Sequence, residues 1–320
     1  MTNFSRETTG AEVVKAFSSL IAGKTVVITG TSAGGLGAQT ALDIAAAQPA
    51  LLLLLARDAS KVQPVLDQIA TISPSTKTAF IPVKLDDLTS VRAAAAEVSK
   101  HIPSDKIDVL INNAGIMCAP WSKTALGVES HFATNHLGHF VLTQRLFPLL
   151  KNAGPTARVV NLTSNGYLVC PFRPDDINFA DGKEYHPWSG YGQSKTANIL
   201  FTKGLAKRGV LSFAPHPGVI PVTHLGDGLD HSLFGEINAV AKKNTGREFG
   251  SYDAFKTVEQ GVATTLVAAF DPSIAEHSGG YLRDCHIVDD AAVADYAKDE
   301  AMVDRLWTLS EELGGEKFVC

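Results

Sequence analysis

A glycine-rich turn between an apolar run and a helical run constrains the fold of this chain most. Residues 24–29 (Lys-Thr-Val-Val-Ile-Thr) are apolar and rich in β-branched side chains, which predicts a buried strand. Four glycines lie within residues 30–37, and residues 38–47 have the composition of a helix. Glycines let a backbone approach a phosphate, and the first turn of a helix directs N–H groups toward it. The turn therefore predicts a dinucleotide site. Its residues are Gly30, Gly35, Leu36 and Gly37.

Strands and helices continue to alternate along the rest of the chain. Six further apolar runs are typical of strands: 51–55, 79–84, 107–111, 157–163, 210–215 and 280–285. Helical runs separate them, the longest at 128–150 and 190–207. This alternation predicts right-handed crossovers and hence an α/β fold. We expect a Rossmann-type doubly wound parallel sheet of about seven strands with helices on both faces, and one domain over residues 1–320. Ligands should bind outside the carboxyl ends of the strands.

The second strand indicates which dinucleotide binds. Five consecutive leucines at 51–55 lead into Ala56, Arg57 and Asp58. An acidic residue at this strand end usually binds the ribose hydroxyls of NAD, whereas a guanidinium suits the 2′-phosphate of NADP. Asp58 is better explained as the cap of the helix that begins near Ala59. The sequence therefore favours NADP(H) over NAD(H), with Arg57 as the phosphate ligand.

A tyrosine and a lysine lie four residues apart in the run Tyr191-Gly192-Gln193-Ser194-Lys195. On a helix this spacing places both side chains on one face. An ammonium near a phenol favours the phenolate, and a lowered pKa makes a tyrosine useful in proton transfer. The spacing alone also fits an ordinary helical pair, so its interpretation depends on the other motifs.

Taken in order, the motifs resemble those of the short-chain dehydrogenase/reductase family. Within it, the chain is most similar to the retinol-dehydrogenase-like and WW-domain-oxidoreductase-like branch, of fungal type. The resemblance covers roughly residues 20–290. The residues that carry it are Thr29-Gly30 with Gly35-Leu36-Gly37, Asn112-Asn113-Ala114-Gly115, Asn135 within 134–140, Asn161-Leu162-Thr163-Ser164, Tyr191 with Lys195, and Pro217-Gly218.

This resemblance implies an NAD(P)-dependent oxidoreductase with a catalytic tetrad. Tyr191 would donate a proton to the substrate oxygen, and Ser164 would donate a hydrogen bond to it. Lys195 would lower the pKa of Tyr191 and bind the nicotinamide ribose, and Asn135 would hold a water chain that resupplies the proton. Further cofactor contacts are implied for four residues: Asp86 and Asn113 near the adenosine, the Val219 backbone at the carboxamide, and Thr223 near the pyrophosphate.

Three spacings differ from the usual pattern of the family. The glycine turn has one extra residue, which leaves open whether Gly34 or Gly35 contacts the pyrophosphate. Thr223 comes one place late after Pro217-Gly218. The interval from Ser164 to Tyr191 is long for the family as a whole, but it is usual in the retinol-dehydrogenase-like branch. None of these differences removes a catalytic side chain.

Simpler roles are available for several of these residues. Ser164 could merely end a strand, Asn135 could be a buried hydrogen-bonding residue, and Asp86 and Asn113 could stabilise turns. At the level of the whole protein, two alternatives stay open. One is a dehydratase or isomerase on the same scaffold, and the other is a non-catalytic NADP-binding regulatory protein.

Two segments are expected to select a small-molecule substrate. Residues 165–189 contain five aromatic side chains and three prolines, and residues 223–253 combine a glycine-rich stretch with a helical one. Loops that flank a site can act as lids. Their apolar content favours a fairly hydrophobic ketone, aldehyde, terpenoid or polyketide intermediate, although packing of long loops onto the domain would explain it equally well.

Composition agrees with a cytoplasmic enzyme. The formal net charge is −5, which argues against a nucleic-acid surface. The first twenty residues lack a signal-peptide pattern, and the leucine run is too short to span a membrane. The four cysteines lack C-x-x-C spacing, which favours a reduced chain. His131, His136 and His139 have no acidic or cysteine partner in the pattern, so no metal site is predicted. A homo-oligomer stays open.

Overall fold

Eight strands form one sheet in the order β3-β2-β1-β4-β5-β6-β7-β8 within the part of the chain that the structure describes. The computed structural model describes residues 3–223, 225, 230–250 and 253–320. The strands are β1 (Thr25–Thr29), β2 (Leu51–Ala56), β3 (Lys77–Pro82), β4 (Val109–Asn112), β5 (Arg158–Asn161), β6 (Leu211–His216), β7 (Tyr281–Arg283) and β8 (His286–Ile287). All neighbours pair in parallel except β7 and β8. The predicted doubly wound fold is confirmed.

Two helical layers cover the sheet. The helices are α1 (Gly10–Ala16), α2 (Ser18–Ile21), α3 (Leu36–Ala45), α4 (Ala59–Ile72), α5 (Leu88–Lys100), α6 (Gly138–Asn152), α7 (Pro187–Ala206), α8 (Ile237–Thr245), α9 (Val258–Gly261), α10 (Ala263–Phe270) and α11 (Glu300–Gly314). The run of leucines in β2 divides between the two cores: Leu51, Leu53 and Leu55 face one, and Leu52 and Leu54 face the other. Alternate side chains of a strand point to opposite faces, so a strand covered on both faces is apolar throughout.

The elements differ from the sequence-based prediction in three places. All seven predicted strands are present, but β3 lies two residues earlier than expected, and the two-residue strand β8 adds an antiparallel edge. The predicted helix at 128–150 is not a uniform α-helix, because a π-helical segment, Phe132–Leu137, precedes α6. Such segments are rare and often lie at functional sites, because they release a backbone carbonyl from the regular pattern.

The strand order reverses at β1, whose two neighbours are β2 and β4. Chain crossovers leave this point in opposite directions, so a crevice opens at the carboxyl ends of the strands. The glycine-rich turn follows β1, and the segment 113–121 follows β4. None of the described helices is long and apolar enough to cross a membrane.

The start of α6 packs directly against the chain between β3 and α5. A Cβ atom placed on Gly138 would lie 2.3 Å from the carbonyl oxygen of Leu85. Because this oxygen belongs to the backbone, the clash could not be relieved by a change of side-chain rotamer. Gly138 therefore sets how closely the helix that carries Asn135 approaches the sheet.

Replacing Gly138 with alanine should lower the free energy of unfolding by roughly 1–3 kcal/mol, because the extra methyl group overpacks this contact. Chemical denaturation of the variant measures the loss. Gly235→Ala is a suitable control, since a Cβ there would meet open space, and its effect should stay within about 0.5 kcal/mol. Equal stabilities for the two variants would contradict the packing argument.

Candidate active site

The glycine-rich turn has the geometry of a phosphate cradle. Gly30 and Gly34 have φ angles of +75° and +79°, a left-handed conformation that glycine adopts without strain. Gly35 is the N-terminal cap of α3, so the extra residue is accommodated just before the helix. A Cβ on Gly37 would lie 2.5 Å from the Gly30 carbonyl oxygen. The turn is thus tight enough to bring backbone N–H groups of α3 against a ligand.

Asn113 holds this turn from the neighbouring strand. Its side-chain amide donates to the carbonyl oxygens of Thr29 at 2.7 Å and Gly30 at 3.2 Å. The Thr29 hydroxyl in turn accepts the backbone N–H groups of Asn113 and Ala114, both at 3.0 Å. Asn113 therefore has a clear structural role at the predicted cofactor edge, and its contact with an adenosine stays a prediction.

A depression of about 280 Å³ lies beside the turn, at the end of β2. Its walls are Ser32, Arg57, Asp58 and Lys61. Asp58 accepts the Ser60 backbone N–H at 2.9 Å, so it caps α4 as predicted. Lys61 is a second exposed cation that the sequence analysis missed. The sequence could have indicated Lys61, because it lies four residues after Arg57, in the first turn of the helix that Asp58 caps. Asp86, in contrast, is exposed after β3, and its predicted contact with the adenosine stays a prediction.

Tyr191 and Lys195 lie together on α7, both buried. The Lys195 Nζ is 5.6 Å from the centroid of the Tyr191 ring and donates to the Leu162 carbonyl at 3.2 Å. Burial lowers the pKa of Lys195 to about 8. Burial also raises the pKa of Tyr191, and the hydrogen bond with Ser164 only partly opposes this effect. The net pKa of Tyr191 is therefore raised in the chain alone, because desolvation of the phenol dominates, and the effect of Lys195 on the tyrosine stays a prediction.

Ser164 follows β5 and faces Tyr191. Its hydroxyl accepts the Gly166 N–H at 3.0 Å and lies beside the Tyr191 phenol, whose pKa it lowers. A Cβ on Gly166 would lie 2.6 Å from the Tyr191 ring. Gly166, which the sequence analysis did not single out, therefore makes room for the phenol beside Ser164.

Asn135 lies in the π-helical segment and has mainly backbone partners. Its side chain accepts the Ile116 N–H at 2.8 Å and donates to the Ile116 carbonyl at 3.0 Å and to the Ser194 hydroxyl at 2.9 Å. A Cβ on Gly115 would lie 3.1 Å from the Asn135 Oδ1 and 3.6 Å from the Lys195 Nζ. The structure thus brings Asn135, Ser164, Tyr191 and Lys195 to one place, and the water chain assigned to Asn135 stays a prediction.

The segment after β6 carries Val219 and Thr223. The Val219 carbonyl accepts the Lys256 N–H at 2.9 Å, and the Thr223 hydroxyl donates to the Ile220 carbonyl at 3.4 Å. The Lys256 side chain passes beneath Gly218, where a Cβ would lie 2.7 Å from its Cδ. Cofactor contacts of Val219 and Thr223 stay predictions. Lys256 is a supporting residue that no motif indicated.

A carboxylate that the sequence analysis also missed joins three strand ends. Asp253 accepts the Asn165 side-chain amide at 2.7 Å, lies 3.3 Å from the His216 Nε2, and pairs with Arg283. Asn165 is adjacent to Ser164, and His216 precedes Pro217. Asp253 therefore connects the loop of the predicted catalytic serine with the loop after β6.

The three histidines of the helix have separate partners, and the expectation that none has an acidic partner is wrong, because the His131 Nδ1 lies 2.8 Å from the buried Glu129 carboxylate. His136 bonds with Ser310 at 2.7 Å, and His139 bonds with Thr29 at 2.8 Å and with the Asn135 carbonyl at 3.0 Å. Burial lowers the pKa of His136 to about 3 and that of His139 to about 4. Among the described residues, no group of three or more His, Cys, Asp or Glu side chains could hold a metal ion.

An apolar cluster surrounds Tyr191. Its buried members are Cys118, Val169, Trp188, Tyr191, Ile237 and Ala241, and Met117, Leu233, Phe234, Val240 and Phe249 pack against them. Both predicted substrate segments contribute to it. Residues 224, 226–229 and 251–252 of the second segment lie outside the described residues.

The arrangement agrees with comparisons against known proteins. A short chain dehydrogenase family profile matches residues 24–172. The chain is 36% identical to retinol dehydrogenase 12 of Mus musculus over 301 residues, which cover 92% of this chain and 87% of that protein. The chain belongs to the short-chain dehydrogenase/reductase family. It is therefore an oxidoreductase, and its fold implies an NAD(P) cofactor.

Three further proteins are similar to this chain over most of its length. Retinol dehydrogenase 11 of Homo sapiens is 36% identical over 92% of this chain and 86% of its own length. An uncharacterized protein from Mycobacterium paratuberculosis has a TM-score of 0.66 and 31% identity over 94% of this chain and 96% of its own. The NADPH-bound carbonyl reductase from chicken fatty liver, with a TM-score of 0.56 and 22% identity over 82% of this chain and 96% of its own, shares the fold.

The buried ammonium of Lys195 predicts an unusual pH dependence. A pKa shift from 10.5 to about 8 means that the charge destabilises the folded chain by about 3 kcal/mol at neutral pH. Because the unfolded state binds more protons between these two values, stability should rise with pH there. Lys195→Met lacks the penalty, so it should be more stable than the wild type at pH 7.

The advantage of Lys195→Met should shrink as the pH is raised from about 8 toward about 10. Urea denaturation of the cofactor-free proteins at several pH values measures it. Lys203→Met, on the same helix but partly exposed, provides the control. A difference between wild type and Lys195→Met that does not change with pH would contradict the assignment of the shift to Lys195.

Proposed function

We propose that this enzyme transfers hydride between NADP(H) and a carbonyl or alcohol of a fairly hydrophobic small molecule. The observation that carries the proposal is the convergence of Asn135, Ser164, Tyr191 and Lys195 within an apolar compartment. The residues present suit the cofactor, because the absence of a side chain at Gly37 lets the turn pack closely against the start of α3, whose first N–H groups can receive a phosphate.

The chemistry follows from what each side chain can do. The bound nicotinamide supplies or accepts the hydride. Tyr191 holds a proton on its phenol at neutral pH, since burial raises its pKa, and can donate it to a substrate oxygen that gains negative charge. Ser164 donates a hydrogen bond to the same oxygen. Lys195 would hold the nicotinamide ribose, and its positive charge would stabilise the phenolate that remains when Tyr191 gives up its proton.

The preference for NADP(H) is supported by charge at the end of β2. Arg57 and Lys61 line the depression beside the glycine-rich turn, and the strand itself ends at Ala56 rather than at an acid. The carboxylate of Asp58 is engaged with Ser60. Two cations suit a 2′-phosphate, and hydroxyl groups alone would not satisfy them.

The apolar cluster around Tyr191 supports a hydrophobic substrate. Retinol, the substrate in the names of the relatives, is itself a largely apolar alcohol. We therefore expect aldehydes, ketones, terpenoids or polyketide intermediates with a large apolar portion to be better substrates than small polar carbonyls. A kinship with WW-domain oxidoreductases of fungal type stays part of this proposal.

Tyr191→Phe should reduce turnover by about 10²–10⁴-fold, because the proton donor is lost. The NADPH dissociation constant should change little. The measurement is NADPH oxidation with a panel of hydrophobic aldehydes and ketones, alongside a binding titration. A wild type that binds NADPH and oxidises it with none of these carbonyls contradicts the proposal. Conversion of a substrate without a net change in NADPH would indicate a dehydratase or isomerase, and binding without conversion would indicate a regulatory protein.

Arg57→Ala should weaken NADPH binding by about 10–100-fold, the usual loss for a hydrogen bond to a charged group. NADH binding should change less than about two-fold, since NADH lacks the 2′-phosphate. Lys61→Ala should act in the same direction. Lys77→Ala serves as the control, because it removes an exposed cation from the amino end of β3, away from the predicted cofactor edge. Equal losses for the two cofactors would remove the basis for the NADP(H) preference.

A further inference from the structure

The segment after β4 is bonded to the helix at 130–152 in two places. Asn135 binds both backbone groups of Ile116, as described above. Three residues later, both backbone groups of Ala119 are also bonded to side chains: its N–H donates to His131 at 3.1 Å, and its carbonyl accepts the Tyr185 hydroxyl at 2.7 Å. We name Glu129, His131 and Tyr185 the Ala119 clamp.

The histidine of the clamp is held in one orientation. Because the Nε2 of His131 accepts the Ala119 N–H, the proton of the neutral ring is on Nδ1, which donates to the Glu129 carboxylate at 2.8 Å. Both side chains are fully buried. Glu129 also accepts the backbone N–H groups of His131 and Phe132, each at 2.9 Å. The carboxylate therefore caps the helix and fixes the imidazole at the same time.

Two residues of the apolar cluster lie between the bonded positions. Met117 and Cys118 belong to the apolar cluster around Tyr191. Cys118 is only 6% exposed and has a φ angle of +50°, a conformation that a non-glycine residue adopts at a cost. Bonds at Ile116 on one side and Ala119 on the other can maintain that conformation.

The clamp also packs against the helix of the proton donor. A Cβ on Gly190, the residue before Tyr191, would lie 2.7 Å from the Tyr185 ring and 3.0 Å from the His131 Nδ1. The His131 ring meets the Tyr191 ring edge to face at 6.4 Å. His131 and Tyr185 therefore bond to Ala119, the neighbour of Cys118, and together with Glu129 they pack against the backbone that carries Tyr191.

We propose that Glu129, His131 and Tyr185 are positioning residues that set the distance between the Met117–Cys118 wall and Tyr191, and thereby determine which carbonyl substrates fit. The part of this inference that concerns substrates rests on the proposed function. The effect of the clamp on the conformation of residues 116–119 can be tested without turnover.

Tyr185→Phe is the decisive variant, because it removes one hydroxyl and leaves the helix cap of Glu129 intact. Tyr296→Phe is the matched control: its hydroxyl donates to the Tyr167 carbonyl at 3.0 Å, outside the clamp. The first readout is the rate at which iodoacetamide alkylates Cys118, followed by mass spectrometry. Loss of the hydroxyl, which bonds to the Ala119 carbonyl at 2.7 Å and lies 3.2 Å from the His131 Nδ1, should raise this rate about ten-fold in Tyr185→Phe. Buried Cys285 serves as the internal reference in each protein.

The second readout is steady-state kinetics with large and small hydrophobic carbonyls. Tyr185→Phe should raise KM for the large substrates by about ten-fold, the worth of one hydrogen bond, with much smaller changes in kcat and in NADPH binding. Tyr296→Phe should alter none of these. A purely structural role of Tyr185 predicts instead faster alkylation of Cys118 and Cys285 alike, with similar losses for all substrates.

The two readouts separate the two proposals. If the wild type reduces no carbonyl, the proposed function fails, and the alkylation rate still decides whether the clamp holds Cys118. An unchanged Cys118 rate in Tyr185→Phe would overturn the clamp, even in an active enzyme. Should Tyr185→Phe prove unstable, two variants of His131 give the same test. In His131→Gln, which keeps one donor and one acceptor, Cys118 should be alkylated at nearly the wild-type rate, whereas in His131→Leu, which keeps neither, it should be alkylated faster.

Discussion

The hydroxyl of Thr29 joins the parts of the site on which everything else depends. At the end of β1 it accepts two backbone N–H groups from the segment after β4, so its own proton is free for His139. The other nitrogen of His139 then donates to the carbonyl of Asn135, in the π-helical segment. The phosphate turn, the segment after β4 and the helix of Asn135 are thus connected through buried and partly buried hydrogen bonds. In a dry interior an unpaired member of such a network would be costly, which keeps the three elements in register.

The interior that secures this geometry also determines the electrostatics of the site. Tyr191 and Lys195 lie where water is excluded, so burial favours the neutral form of each. The neutral phenol of Tyr191 still holds the proton that it can donate. The ammonium of Lys195, which burial destabilises, would be stabilised by negative charge that develops near it. Stability is lost to keep these groups buried, as is common at functional sites.

Apolar packing and backbone bonding have different tasks around the substrate. Residues from α7, α8 and the segment after β4 form an apolar compartment around Tyr191, which would favour a hydrophobic substrate under the proposed function. The positions of Met117 and Cys118 in this compartment are held by bonds to the backbone on either side of them. Asn135 supplies one set of these bonds, and His131 with Tyr185 supplies the other.

Local patterns in the sequence determined the fold and the main site residues. Periodicity identified all seven principal strands, because a strand buried on both faces must be apolar throughout, as at 51–55. Glycine spacing located the phosphate turn, and helical spacing paired Tyr191 with Lys195. Only the tertiary structure decided the rest: the π-helical segment, the partners of Asn135, the raised pKa of Tyr191, and the positions and contacts of Lys61, Asp253 and the Ala119 clamp. These depend on burial and on contacts between residues distant in sequence, and a local pattern carries no information about either.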